Sequence, residues 1–582
     1  MIIEEGTPSI SRGPSRPKWI VAVVAAVALL AAAMGGVAGA FLINGRAAGS
    51  GVGGAAGYVP DTAFLYMDAR LDLPGDQRAL LTELLARFPD GADALIGDEL
   101  TKSLDDKLSK AGAPISYSKD VAPWFDGRLA VALLEMPSSS QLQKGDMPRG
   151  LAFAGVKDRV AATALADRLR SQAEGQGQQL STTTHRGVEI VTGSATEGGR
   201  SHTYAYAITD DQLIFGTDAD GIATALDVHA GAAASLEANA DVEKLSAGLP
   251  SDRVATMVTN YAPLLARLKG DLGPAGMSGE LLDSLAASAP SVMVGAGRIE
   301  ANRLRFDVAV KVAKDAPAGV NRSRTLDGFI PADAIFVAEG NDLGASLGRS
   351  VTALKQGAGS PGAPDKQQVA QIESVLGAKI EDFVSWIGDG ALVAGYHDGE
   401  PYAGLVLAPT DADAAKQRLG QLTSLARLAG GALAVTQEQV AGTEVTTLRL
   451  AGGSGVDPMG LGSIGQVALQ YAVTPERVVI GFGDKFVGRV LGLKSADSLA
   501  GSDRYHSALE GVGGANNAGA AFLDLAALRS RLEAVLEPLA PAEMWSEYVG
   551  RVRPWLEPLD YAVGTTQANG DVITQRSAIV LK

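Results

Sequence analysis

From Val59 onward the chain alternates short apolar runs with polar turns, and the runs come in matched pairs. PWFDGRLAVAL, from Pro123, sets a Trp and an Asp-Gly pair ahead of an apolar run that predicts a strand. SWIGDGALVAG, from Ser385, repeats the arrangement with Trp386 in the place of Trp124. VPDTAFLY from Val59 is answered by IPADAIFV from Ile330. LAFAGVKDRVAATALADRL from Leu151 is answered by AGLVLAPTDADAAKQRL from Ala403, each an apolar run followed by a polar N-cap and a helical pattern. RGVEIV matches AGTEVT, with Gly187 and Glu189 against Gly442 and Glu444. YAITDDQLIFG from Tyr206 and YAVTPERVVIG from Tyr471 both predict hairpins, turning at Asp210 and Asp211 in one and at Pro475 and Glu476 in the other. Later NYAPLLARL meets DLAALRSRL, and each copy closes on a hairpin, the second carrying Asn569-Gly570 as a type I′ turn signal.

These blocks recur in the same order, roughly 255 to 271 residues apart, and read as a tandem duplication. Paired strands, isolated helices and hairpin closure, without regular strand and helix alternation, predict an α+β fold of mostly antiparallel sheet. Helices such as DQRALLTELLARF, with Leu80, Leu81, Leu84, Leu85 and Phe88 at helical spacing, are expected to cover a sheet face. The predicted organisation is an N-terminal transmembrane helix followed by two tandem, homologous domains with packed helices. Its boundaries are a cytoplasmic tail 1–18, a span 19–43, a Gly/Ala tether 44–57, a first repeat 58–312, a linker 313–328 and a second repeat 329–582.

The span rests on WIVAVVAAVALLAAAMGGVAGAFLI, Trp19 to Ile43, which carries no charge and at about 1.5 Å per residue crosses a hydrocarbon core of about 30 Å. Arg12, Arg16 and Lys18 precede it and only Arg46 follows closely, so the N-terminus is expected in the cytoplasm and the rest outside. A cleaved signal peptide ending near Ala38-Gly39-Ala40 is the competing reading. The lipid bilayer, through 19–43, is therefore the first expected partner.

Composition narrows the function classes. The net charge of −16, with no Lys/Arg stripe, speaks against a nucleic-acid partner. With no cysteine there is no disulfide, thiolate metal site or cysteine nucleophile, and five histidines without HExxH spacing give little support to an imidazole metal centre. No cofactor is expected: Gly49, Gly51 and Gly54 fit GxGxxG, but no strand precedes them and no helix follows.

Three motifs carry candidate chemistry. GASLG, Gly344 to Gly348, fits GxSxG after an apolar run, which offers Ser346 as a nucleophile with Asp398 and His506 in the usual order; a Gly-rich helix entry is the plainer reading. Asp218, Asp220, Gly221 and Asp227 fall at positions 3, 5, 6 and 12 of a calcium-type loop whose first position is Gly216, and N-capping by Asp218 accounts for the acids more simply. Glu189 and Glu444 occupy matched positions and suggest paired carboxylates, against solvent-facing strand residues. Trp124 and Trp386 are landmarks of a structural corner used twice. Trp545 and Trp555 flank EYVGRVRPWLEPL, a partner surface or core packing.

The N-terminal run, the opening VPDTAFLY, the Trp turn PWFDGRLAVAL and YAITDDQLIFGTDADGIATAL together resemble the DUF3352 family of bacterial membrane-anchored proteins. The resemblance implies an architecture and a location, and no catalytic residues. The expected function is a non-enzymatic binding or scaffolding component of the cell envelope, single-pass in the cytoplasmic membrane, with an envelope protein or an apolar ligand as partner. A carrier or sensor of an apolar, lipid-like ligand is the alternative, and a serine hydrolase using Ser346 the third reading.

Overall fold

The computed structural model describes residues 53–582, apart from 71–72, 74, 90–96, 111, 136–140, 142–147, 198–199, 273–288, 313–318, 357–365, 429–432 and 451–467. The predicted tail, span and most of the tether lie outside the described residues. Among the described residues no helix is long and apolar enough to cross a membrane.

The chain is mixed α+β and divides into two compact units. Unit one holds the described part of Met1–Ala86 with Asp90–Glu243 and Asp252–Met257; unit two holds Arg87–Pro89, Lys244–Ser251 and Val258–Lys582. Unit one has strands β1 (Leu65–Arg70), β2 (Phe125–Leu133), β3 (Gly150–Val156), β4 (Ser181–His185), β5 (Val188–Glu197), β6 (Arg200–Ile208) and β7 (Gln212–Gly216). They pair antiparallel in the order β4-β5-β6-β7-β3-β2-β1. Strand β8 (Ala255–Asn260) straddles the division between the units.

Unit two contains β9 (Val292–Glu300), β10 (Arg303–Lys311), β11 (Ala334–Gly340), β12 (Ile387–His397), β13 (Glu400–Pro409), β14 (Leu433–Val440) and β15 (Thr443–Leu450). It continues with β16 (Ala468–Val473), β17 (Val478–Phe482), β18 (Gly519–Asp524), β19 (Leu559–Asn569) and β20 (Val572–Leu581). Its antiparallel order is β14-β15-β16-β17-β13-β12-β11-β18-β19-β20-β10-β9. The first seven places repeat the unit-one order with ten added to each label.

Local chemistry explains why matched sequences make matched elements. Hairpins β4–β5 and β14–β15 turn on Arg186-Gly187 and Ala441-Gly442, all four at positive φ, the pairing that a right-twisted two-residue turn demands. In the two YA-x-T hairpins, Thr209 Oγ1 accepts from Gln212 N (3.0 Å), and Thr474 Oγ1 accepts from Arg477 N (3.1 Å). Asp158 and Asp411 N-cap the helices Arg159–Gly175 and Ala412–Leu428, accepting from Ala161 N and Ala414 N. Both Trp corners sit on core: Trp124 packs with Phe125, Leu129 and Val156, and Trp386 with Leu407, Leu419 and Val478. Each Trp carbonyl accepts a backbone bond from the strand end that follows, Lys157 N (2.8 Å) and Thr410 N (2.7 Å).

Four expectations change. The closing hairpin of the first repeat, β9–β10, lies in unit two, where β10 pairs with β20 along its length. The last residues of the tether predicted at 44–57 are packed: Gly54–Tyr58 forms a 3₁₀ turn with Ala56 and Tyr58 buried, while Gly53 N donates to Asp68. The helix expected to run through Phe88 spans Gly75–Leu85, and Phe88 belongs to unit two with its ring 6.0 Å from that of Trp555. Asn569 ends β19 at normal φ, so the last hairpin turns on Gly570 and Asp571, not on Asn569-Gly570.

Candidate functional site

The described part of the linker predicted at 313–328 is packed into unit two, and it carries the unit's most unusual chemistry. Arg322 pairs in β-bridge fashion with Asn517, and Arg324 enters the interior against Glu339 of β11, Nη1 to Oε1 3.9 Å, both side chains 1% exposed. Arg324 Nη2 donates to Asn341 Oδ1 (2.9 Å) and the Asn517 carbonyl (2.6 Å). Asp327, also buried, sets its carboxyl against that of Glu339, with Tyr505 and His506 facing it from the helix Asp503–Glu510. Apart from the facing Asp327 carboxyl, the Glu339 oxygens have no hydrogen-bond partner among the described residues. Burial, and next the neighbouring Asp327 carboxyl, push the Glu339 acid up to about 8, and burial raises Asp327 as well. Two carboxyls so placed share a proton, since both cannot ionise in a dry site beside one cation.

A second acid locks the same region from outside. Asp389, in the Trp386 corner, is buried; it forms a bidentate ion pair with Arg322 and accepts from Asp342 N (3.0 Å). Asp342 is held at φ +52°, a strained conformation for a non-glycine residue, and is tied to Arg322 Nη2 (3.0 Å). Unit one has a counterpart on its own opening strand: Asp68 of β1 accepts from Gly53 N (3.2 Å) near Arg253 and Thr256. Burial raises its carboxyl to about 6.

Tyr505 also lines a cleft of about 310 Å³, the lower end of the ligand-pocket range. Its walls are Asp333 and Ile335 of the chain entering β11, Tyr396 of β12, Ser502, Arg504, Phe522 and Asp524, and Arg531 of the helix Leu525–Leu536. Arg504 lies over the Phe522 ring (5.7 Å) and is bound to Asp524 and Asp560. Asp333 is taken up by Arg489 and Tyr402. Arg531 stands over the Tyr396 ring, 5.7 Å to its centroid, with no acid bound to it among the described residues. The charges of the cleft balance overall, but they are shared unevenly: Arg504 holds two aspartates while Arg531, beside the aromatic faces, holds none among the described residues. In unit one, an apolar hollow under the helix Arg159–Gly175 holds about 60 Å³, well short of a lipid-sized pocket.

The sequence candidates fall elsewhere. Ser346 sits in the first turns of the helix Leu343–Gln356, where its hydroxyl accepts from Arg349 (2.9 Å). His506 bonds the Ala500 carbonyl (3.1 Å) and Asp398 lies by His397 (3.5 Å), so the three make no hydrogen-bonded relay. Gly344 has a packing reason: a Cβ there would meet the Ile387 carbonyl oxygen at 2.1 Å, whereas one at Gly348 meets nothing within 4 Å. Gly344→Ala is accordingly expected to destabilise unit two by about 1–3 kcal/mol. Gly348→Ala should be neutral or stabilising by up to about 1 kcal/mol in urea titrations.

Asp218 caps the helix Ala219–His229, accepting from Gly221 N (2.7 Å) and pairing with Arg149 (3.1 Å). Asp220 lies in the first turn of that helix, and Asp227 is held by His185 and Arg186. Among the described residues no group of three or more His, Cys, Asp or Glu is placed to hold a metal ion. Glu189 pairs with Arg170 and Glu444 bonds Gln437. Sequence reasoning missed Arg324, Asp327, Glu339 and the inward role of Asp389. One signal was present: Asp68 and Glu339 each follow the matched opening block by the same two residues.

A family model described as "Protein of unknown function (DUF3352)" matches residues 23–582. No curated protein matches the chain. Among solved structures, "Structure of crystal form III of TP0453" matches at 11% identity and a TM-score of 0.21, covering 45% of this chain and 80% of that one. "Structure of crystal form I of TP0453" matches at 10% identity and 0.20 with the same coverage. Scores of that size assign no fold.

Proposed function

The chain belongs to the DUF3352 family, and from that premise we propose a non-enzymatic, single-pass membrane protein whose ectodomain binds a small ligand in the bacterial cell envelope. The basic residues ahead of the apolar run Trp19–Ile43 favour a cytoplasmic N-terminus and an ectodomain outside. Two tandem homologous domains would account for the shared strand order, the twin Thr turns, the paired N-cap aspartates and the two Trp corners.

The unit-two cleft is the binding site in this reading, and Arg531, which no acid holds among the described residues, is the observation that carries it. Arg531 over Tyr396, with the Phe522 and Tyr505 rings nearby, suits a small anion carrying an apolar or aromatic body. Arg504, clamped by two aspartates, shapes the wall without offering its charge. A binding role is also favoured over hydrolysis by the surroundings of Ser346, whose hydroxyl accepts from an arginine and has no base bound to it among the described residues.

Thermal-shift titration with benzoate, phenyl phosphate and inorganic phosphate tests the assignment. The aromatic anions are expected to raise the unfolding temperature of the wild type and not of Arg531→Ala, with inorganic phosphate weaker. Equal responses from wild type and variant would remove the cleft from the proposal.

A further inference from the structure

The C-terminal helical segment of unit two is built inside out. The helix Leu525–Leu536 and the turns Ala542–Glu547, Tyr548–Val552 and Arg553–Leu556 form two limbs. Polar groups join them: Tyr548 donates to Glu533 (2.9 Å), Arg553 and Arg529 approach the same carboxylate, and Arg529 donates to the Leu556 carbonyl (2.8 Å). Arg529 and Glu533 are each only 15% exposed.

The apolar side chains point the other way. Leu532, Val535, Leu536 and Leu539 follow helical spacing and are half or more exposed or nearly so, at 49, 48, 50 and 75%; Val552 and Trp555 of the second limb are exposed as well. A surface helix in water turns its polar stripe outward, so this arrangement marks a surface whose working environment is not water.

We propose that this face docks on the lipid bilayer. A protein partner ordinarily needs about one hydrogen bond per 100–200 Å² of interface, and here Arg529, Glu533, Tyr548 and Arg553 are used between the limbs while the exposed Arg551 pairs with Glu547. Hydrocarbon and the headgroup boundary ask for no such donors. Trp555 and the flanking arginines Arg551 and Arg553 fit the interfacial level, where aromatic rings and long basic side chains settle. The segment carries Arg and Glu in nearly equal number, which suits a neutral lipid surface over a strongly anionic one. The choice of bilayer also draws on the proposed anchor: the run Trp19–Ile43 ends only a short tether before Gly53, the first described residue, and keeps the ectodomain within reach of a membrane.

The chain has no cysteine, so single cysteines can be placed freely. The full chain, reconstituted in phosphatidylcholine vesicles, would carry an environment-sensitive fluorophore at Leu536→Cys, Leu539→Cys or Val552→Cys. Leu347→Cys, on another exposed helix, serves as the ectodomain control, and Ala31→Cys reports the anchor separately. Brominated phosphatidylcholine is expected to quench the first three probes about twofold and Ala31 strongly, and to leave Leu347 unchanged. Quenching at Ala31 with none at the three helical positions overturns the docking and keeps the anchor. Loss of quenching at Ala31 alone overturns the anchor and leaves the docking supported. Shielding of the three probes from aqueous iodide without lipid quenching, accompanied by probe-to-probe transfer between chains, assigns the face to a second copy and overturns the proposal.

Discussion

Arg324→Met is expected to lower the stability of unit two by about 3–5 kcal/mol, the cost of leaving a buried partner unpaired. The variant strands Glu339 and Asp327 in a dry site and removes the donor that holds Asn341 Oδ1 and the Asn517 carbonyl together. The loss should be smaller at pH 5, where Glu339 is neutral, than at pH 8.5. Adding Glu339→Gln should recover part of it at high pH, because the stranded charge is then gone. Urea midpoints in a Trp124→Phe background give the measurement, since the remaining ectodomain tryptophans, Trp386, Trp545 and Trp555, all lie in unit two. A loss under about 1 kcal/mol at pH 8.5 would mean that the pair is incidental to the unit.

The second large effect is a stability that declines as pH rises. The Glu339 acid is raised from its ordinary 4.5 to about 8, so its contribution is fully present below about pH 4.5 and is lost as pH climbs through 8. Burial opposes its ionisation most, and the facing Asp327 carboxyl and Asp389 add to it, while Arg324 favours the charge and softens the shift. Over that window unit two is expected to lose on the order of 3 kcal/mol, and Glu339→Gln to flatten the decline. At pH 8.5 the variant should be more stable than the wild type. Unit one should show a smaller decline at lower pH, complete by about 6, because Asp68 is raised from 3.8 to about 6. Unfolding followed from pH 4 to 9 resolves the two windows, and a wild-type profile that rises from pH 5 to 8 would contradict the assignment.

How much of this was legible in the sequence depends on how local the controlling physics is. Turns and caps are decided within a few residues: a positive-φ pair needs Gly at Gly187 and Gly442, and an exposed helix start needs Asp158, Asp218 or Asp411, so these elements could be named from the chain. The Trp corners were legible as structure because an indole before an apolar run wants burial, and both are buried. The acid beside each corner was not legible. Asp126 caps its own turn by accepting from Arg128 N, whereas Asp389, in an otherwise similar phrase, faces inward to Arg322. That difference is set by an arginine far away in sequence.

The Glu339 site was hidden for the same reason. A lone acid in a strand ordinarily faces water, and its cation came from a stretch that composition marked as a linker. Gly and Pro near Ala316–Gly319 announce a turn and say nothing about Arg322 and Arg324 a few residues on. The Asn569-Gly570 turn failed because strand register, fixed by β19 pairing with β20, placed Asn569 on the ladder opposite Val572. The cleft was beyond reach for a further reason: its walls come from β12, β18 and two helices brought together only by the sheet order.

The central claim is that the unit-two cleft holds a small anion on Arg531. Native mass spectrometry of the full protein, released from its own membranes alongside the Arg531→Ala variant, tests it most directly. The account predicts a bound species of small mass on the wild type, negatively charged when released, and its absence from the variant. A wild type without bound mass, or a species that persists in Arg531→Ala, would contradict it.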